Sequence, residues 1–448
     1  MNNSQSTKID ELKRRAIEAI ENKRRDLVEM GDALLHMPET GFREHRTSAF
    51  VKERLEELGL LVRDGIAITG LKAKAEGRSR SKCVGIMGEL DALVFPSHIH
   101  ADRVTGYGHA CGHHAQLTMV IGTAIGLIES GVLSELDGDV AFLAVPAEES
   151  VELEYRRELV KEGKIEFLGG KQEFIRLGVF DDVDAVLCSH LSTVRSGGFR
   201  FGQSYNGVVH KNVRFIGKSA HAGMAPQLGI NALQAAVNAI NLINGMRETL
   251  PESECPRIHY IITKGGDSPN IIPDDVRMEV GVRAASSEYL AILNDKVNEA
   301  IEAGAKSAGA TVEIDDMGAY QPTYQDVNLT RLFAENAAFI VGENKLDDAS
   351  NLHRGSSTDV GDVAALVPTI HTNFDGAKGS PHTAEYDVAD PHFAYVEIAK
   401  VMAMTVIDLL SNDGAELDRV KQEYKPIFAN KEEHAAYYKR LLRKQSKS

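Results

Sequence analysis

Two carboxylates, Glu148 and Glu149, stand side by side after the apolar run Val140–Val145 and the turn Pro146-Ala147. Adjacent acids at the end of a buried strand are costly unless positive charge lies beside them. Cys111-Gly112-His113-His114 lies upstream, and Ser189-His190 and Pro381-His382 lie downstream. Thiolate, imidazole and carboxylate together make the donor set of a zinc-class metal site. A second glutamate, not spent on the metal, is what metal-assisted hydrolysis needs as a proton shuttle. Taken singly these residues are ordinary: a buried cysteine, loop histidines, a solvated acidic turn. Their joint placement points to an enzyme.

The elements that must position them read as an open α/β sheet. Short apolar strands are expected at Cys83–Met87, Val140–Val145, Ala185–Cys188 and Thr369–Asn373, with helices at Ile9–Met37, Ser48–Leu58, His114–Ser130, Gln172–Leu177 and Arg331–Val341. A further helix starts at Asp390 as N-cap, with Pro391 in its first turn and Gly414 past its end. Asp91, Glu148, Glu149 and His190 each fall just beyond a predicted strand, where ligand sites of open α/β sheets gather. Near Asn206 the pattern changes. Val208–Ile216, Ile258–Thr263 and Val276–Val282 alternate apolar and polar residues, as half-buried antiparallel strands do. Helices are expected from about Ile230 to Leu250, on Ile230, Leu233, Val237 and Ile240, and from about Tyr289 to Ala305. The expected fold class is therefore α/β, a catalytic domain with a mostly parallel open sheet flanked by helices. A smaller α+β insert of antiparallel sheet and two helices, residues 207–322, divides it into 1–206 and 323–448.

Composition narrows the function. The 448 residues carry a net charge of −15, which argues against nucleic-acid and anionic-membrane partners. The 4 cysteines form no CxxC pair, and the polar N-terminus lacks a signal-peptide core, so a cytoplasmic setting is expected. No stretch is long and apolar enough for a membrane helix. The basic tail Lys439–Lys447 reads as a solvated terminus.

Several boxes resemble a known family. They are Gly88-Glu89-Leu90-Asp91-Ala92-Leu93, Gly108-His109-Ala110-Cys111-Gly112-His113, Pro146-Ala147-Glu148-Glu149, Gly217-Lys218-Ser219-Ala220-His221-Ala222-Gly223, Asn270-Ile271-Ile272-Pro273-Asp274 and Ser356-Ser357-Thr358-Asp359-Val360-Gly361. Together they resemble the dinuclear metallo-aminoacylases and carboxypeptidases, in the branch of the auxin-conjugate, hippurate and aminobenzoyl-glutamate hydrolases. The resemblance implies Cys111 as a bridging metal ligand, with His113, Glu149, His190 and His382 as the others, for one or two divalent ions (Mn, Zn, Ni or Co) per subunit. It implies Glu148 as general base and Asp91 as an acid that orients a ligand. His221 would polarise the scissile carbonyl from a partner subunit. Asn270 would contact substrate, and Arg283 would grip a substrate carboxylate or else be a surface arginine. A homodimer or higher homo-oligomer and a small-molecule substrate are implied. The branch usually carries an acid and a histidine where this chain has His114 and Gln116, and the charged segment Val151–Lys171 is a further departure. The reaction expected is cleavage of a C–N bond, most simply the amide of an N-acyl or aminobenzoyl amino acid. Dipeptide cleavage and hydrolytic deamination of an aromatic amine need the same water. A Cys111-nucleophile hydrolase and a non-catalytic relative are the readings from other classes.

Overall fold

The computed structural model describes residues 3–442 and 446–447. Parts of the polar N-terminus and of the basic tail lie outside the described residues. The chain divides into two compact units: Met1–Gln203 with Tyr324–Leu352 and Val363–Lys431, and Ser204–Thr323 with His353–Asp362 and Glu432–Ser448.

The first unit is built on an eight-stranded sheet in the order Val62–Ile66, Gly70–Ala75, Asp139–Val145, Cys83–Glu89, Ala185–Leu191, Thr369–Phe374, Phe199–Phe201, Leu346–Asp348. Its four middle strands run parallel. They are almost wholly buried and rich in apolar residues, as strands covered on both faces must be. The four flanking strands were not expected from sequence. Those at the rims, such as Val62-Arg63-Asp64-Gly65-Ile66, are short and polar, and carry little pattern to read. The chain passes from Cys83–Glu89 to its neighbour Asp139–Val145, then back across to Ala185–Leu191 on the other side. That reversal makes the carboxyl end of Cys83–Glu89 the switch point where such sheets open a crevice.

Helix His113–Ile128 is buried over nearly its whole length and lies against the sheet, the N-terminal helices and helix Ile398–Leu410. The expected single helix over Ile9–Met37 is two, Asn3–Asn22 and Arg24–Leu35, broken at Lys23. Both halves pack on His113–Ile128, Ile20 over Gly126 and Leu27 over Gly122, and one straight rod could not follow that surface twice. The strand expected to stop at Cys188 continues to Leu191, paired with Asn373 and Phe374, so His190 sits inside it rather than beyond it. The helix capped by Asp390 opens through a π-turn at Phe393–Glu397 before becoming regular from Ile398.

The second unit carries an antiparallel sheet in the order Arg257–Lys264, Asp275–Ala284, Gly207–Ile216, Thr311–Tyr320, ending on the two-residue strand Ser446–Lys447. Helices Ala232–Met246 and Ser287–Ser307 pack on the sheet and on each other. Their approach is close enough that a side chain on Gly304 would meet the backbone of Ala239. The first helix buries Ala232, Ala235, Ala236, Ala239 and Ile243, whereas the apolar row read from sequence faces outward at Val237, which is 37% exposed. The second unit also gathers two segments assigned from sequence to the catalytic part. His353 pairs with Ser204, and helix Lys431–Leu441 brings His434 and Tyr438 onto the Asp362 carboxylate at 2.7 and 2.6 Å. These contacts depend on meetings across 72 and 76 residues that no local pattern announces.

Candidate metal centre

At the switch point of the first unit, the structure brings together seven residues singled out from sequence: Asp91, Cys111, His113, Glu148, Glu149, His190 and His382. Cys111, His113 and His190 offer donor atoms within 4.8 Å of one another, as do Cys111, Glu149 and His382. Cys111 belongs to both groups. Cys111 Sγ lies 3.3 Å from His190 Nε2, and His382 Nε2 lies 3.1 Å from Glu149 Oε1.

Each side chain is aimed by local structure. Gly112 adopts φ 91°, and a Cβ there would strike the Tyr386 hydroxyl at 2.6 Å. That left-handed turn starts helix His113–Ile128 directly after Cys111, so thiol and imidazole reach the same crevice. His113 Nδ1 donates to the Asp91 carbonyl at 2.7 Å, and His190 Nδ1 to the Leu191 carbonyl at 2.8 Å. Both rings therefore carry a proton on Nδ1 and turn Nε2 into the crevice. Burial opposes charge on Asp91, but its contact with His113 outweighs that and lowers its pKa. The Asp91 carboxylate also accepts from the Glu149 backbone N–H at 2.9 Å.

The turn carrying the paired acids is clamped. Ala147 sits at φ 56°, costly for a residue with a Cβ. Its N–H donates to Glu44 Oε1 at 2.9 Å, and Gly170 packs on the Pro146 carbonyl so closely that only glycine fits. Burial, reinforced by the Asp91 charge, pushes Glu44 up to about 8. The departing segment Val151–Lys171 folds back as helix Leu153–Lys161, whose buried Arg156 donates to the carbonyls of Glu149 and Leu168. Sequence reasoning missed Glu44, Glu89, Arg156 and Lys171. Glu89 stood in one of the family boxes and Arg156 and Lys171 in the departing segment, but their charge alone also describes surface residues.

The donors fit a divalent cation. His113 Nε2 and Glu149 Oε1 are buried without hydrogen-bond partners, and they converge with a thiol on one crevice. In the absence of a cation, burial and the Glu149 charge push the Cys111 thiol well above its ordinary value, the wrong direction for an autonomous cysteine nucleophile. A separate acidic group, Glu21, His392 and Glu397, already has its cation: Lys400 Nζ lies 2.7 Å from Glu21 and 2.9 Å from Glu397.

The remaining candidates lie in the second unit. His221 is exposed, and its Nδ1 accepts from the Gly223 and Met224 N–H groups at 3.2 and 3.1 Å, which leaves the proton on Nε2 as an outward donor. Asn270 stands beside it, its carbonyl accepting from Ala222 N–H at 2.9 Å. Arg283 is half-buried and donates to Ser357 Oγ at 2.7 Å. It occupies the far end of the strand whose near end, Asp275, adjoins the His221 and Asn270 loops. Eight residues of extended chain put it roughly 25 Å from that near end.

Residues 205–308 match the sequence model of the M20 peptidase dimerisation domain. The chain is 31% identical to human Xaa-Arg dipeptidase over 336 residues, 72% of this chain and 71% of that one. It is 27% identical to an IAA-amino acid hydrolase of Arabidopsis thaliana over 375 residues, 81% of this chain and 78% of that one. Its fold is that of a dinuclear metal-binding peptidase from Bacillus subtilis, with a TM-score of 0.63, 22% identity, and 87% and 99% of the two chains covered. The chain belongs to the M20 family of peptidases and related hydrolases.

Proposed function

We infer that this protein is a divalent-metal hydrolase that cleaves an amide bond whose released amine is an amino acid: an N-acyl or aminobenzoyl amino acid, or a dipeptide. The observation that carries the reading is one crevice holding a thiol common to two donor groups, two imidazoles that turn Nε2 into it, His382 and two adjacent glutamates. Cys111, His113, Glu149, His190 and His382 would hold one or two ions of Mn, Zn, Ni or Co. Such ions, when bound, supply the Lewis acidity that makes water nucleophilic near neutral pH. Glu148 takes the proton of the attacking water and returns it to the leaving nitrogen. Asp91 keeps the His113 ring oriented. Four free cysteines fit a reducing cytosol.

His221 Nε2–H is a donor for the developing oxyanion, Asn270 fixes the substrate beside it, and Arg283 pairs with the carboxylate. The roughly 25 Å of strand between Arg283 and the other two exceeds the span of a dipeptide. One copy of this unit therefore cannot present all three to one substrate, which supports a homodimer exchanging His221 and Asn270. Exposed apolar side chains on the same unit, Val237, Leu242 and Ile261, at 37, 45 and 60%, offer surface for that association.

The test is a panel of N-acyl amino acids, aminobenzoyl-glutamate, dipeptides and aromatic amines, run after chelation and reconstitution with Mn, Zn, Ni or Co. Release of an amino acid that a chelator abolishes is expected. Turnover insensitive to chelation, or confined to amines lacking an amino-acid carboxylate, refutes the reading.

A further inference from the structure

Glu89 closes the strand that ends at the crevice, and its side chain is 1% exposed. Oε1 accepts from Lys171 Nζ at 2.6 Å, and Oε2 accepts from Gln116 Nε2 at 2.6 Å. Lys171 is itself fully buried, so a charge pair has been taken wholly out of water beneath the metal site. Glu89 Oε2 also lies 3.1 Å from His113 Nε2, yet the two share no hydrogen bond. His113 Nδ1–H is spent on the Asp91 carbonyl, so Nε2 is the ring atom turned toward a carboxylate oxygen. In a dry site these two atoms stay this close only with a positive centre between them, a proton when the site is empty and a metal ion when it is loaded. Adjacent donors around an ion with bonds of about 2.1 Å are themselves about 3.0–3.4 Å apart. Glu89, His113 and Glu148 accordingly form a donor group within 4.8 Å.

We propose that Glu89 is an additional carboxylate ligand of the ion held by His113, with Lys171 balancing its charge and Gln116 fixing its rotamer. Gln116 and Lys171 thereby acquire a purpose. A neutral amide orients the carboxylate without competing for the cation, and the ammonium offsets the extra negative charge. The inference rests on the metal-dependent reading above and deepens it.

The experiment titrates metal-free wild type, Glu89→Gln and Lys171→Met with Co(II), following stoichiometry by elemental analysis and the visible d–d absorption. In wild type, binding with a d–d spectrum is expected, and failure to bind any divalent ion sinks the metal reading itself. In Glu89→Gln, at least a tenfold weaker affinity for one ion and an altered spectrum are expected. Wild-type affinity with an unchanged spectrum overturns the ligand assignment while leaving the metal reading intact. If Glu89→Gln does not fold, Lys171→Met decides by melting with and without Co(II). As a ligand, the uncompensated Glu89 is neutralised by the ion, so Co(II) raises the melting temperature more in the variant than in wild type. An equal rise in both overturns the proposal.

Discussion

The paired glutamates offer the sharpest perturbation, because neighbours in sequence are given opposite tasks. Glu148→Gln preserves shape and one oxygen acceptor but cannot take a proton. The Glu148 side chain is only 13% exposed, so bulk water cannot readily replace it. Proton transfer by a positioned side chain contributes a factor of about 10² to 10⁴, or roughly 3 to 5 kcal/mol of transition-state free energy. That loss should fall on kcat, with KM within a few-fold of wild type and metal content unchanged. Glu149→Gln should do the reverse: it removes an anionic donor within 4.8 Å of Cys111 and His382 and should lower metal content. Steady-state kinetics at saturating metal, paired with elemental analysis of both dialysed variants, separates the outcomes. Glu148 also lies near Glu89 and His113, so exchanged roles are the outcome the test is set against. If Glu148→Gln strips metal while Glu149→Gln keeps it, or if Glu148→Gln retains more than about a tenth of the activity, the assignment is wrong.

Three further perturbations address the second unit. Lys211 and Asp316 form a 2.6 Å ion pair with both side chains fully buried; Asp316→Asn should cost about 3–5 kcal/mol in thermal or denaturant unfolding, and an effect under 1 kcal/mol would contradict that burial. Gly304→Leu drives a side chain into the Ala239 backbone, so a loss of about 1–3 kcal/mol is expected, and wild-type stability would show that the two helices are not in close contact. Burial, with Arg283 adding to it, lowers the His210 imidazole to about 4. Below its unfolded value near 6.5 the unfolded chain binds the extra proton, so stability falls as pH drops from about 6.5 to 4, by up to about 1.4 kcal/mol per pH unit. His210→Asn should flatten that part of a stability–pH curve, and an unchanged slope would count against the neutral buried ring.

Much of the architecture was legible in the residues. The parallel core strands announce themselves as unbroken apolar runs, and the antiparallel sheet as alternation, because burial on two faces or one dictates those patterns. The seven residues now gathered in one crevice could be picked out because each carries metal or proton chemistry and most lie near strand ends. The polar rim strands, the break at Lys23, and the return of 353–362 and of the helix from Lys431 into the second unit were not legible. Their stabilising contacts join residues far apart in the chain and leave no local period.

The sequence by itself determined which side chains could bind a cation and move a proton, since that is a property of residue type and of the strand that carries it. Only tertiary structure decided that Lys171 and Gln116 would meet across Glu89, that Arg156 would hold the turn of the paired acids, and that Arg283 would lie a strand's length from His221. Whether a charged side chain is solvated or paired in the interior depends on what the rest of the chain packs against it. That is a sum over distant contacts, which no window of sequence contains.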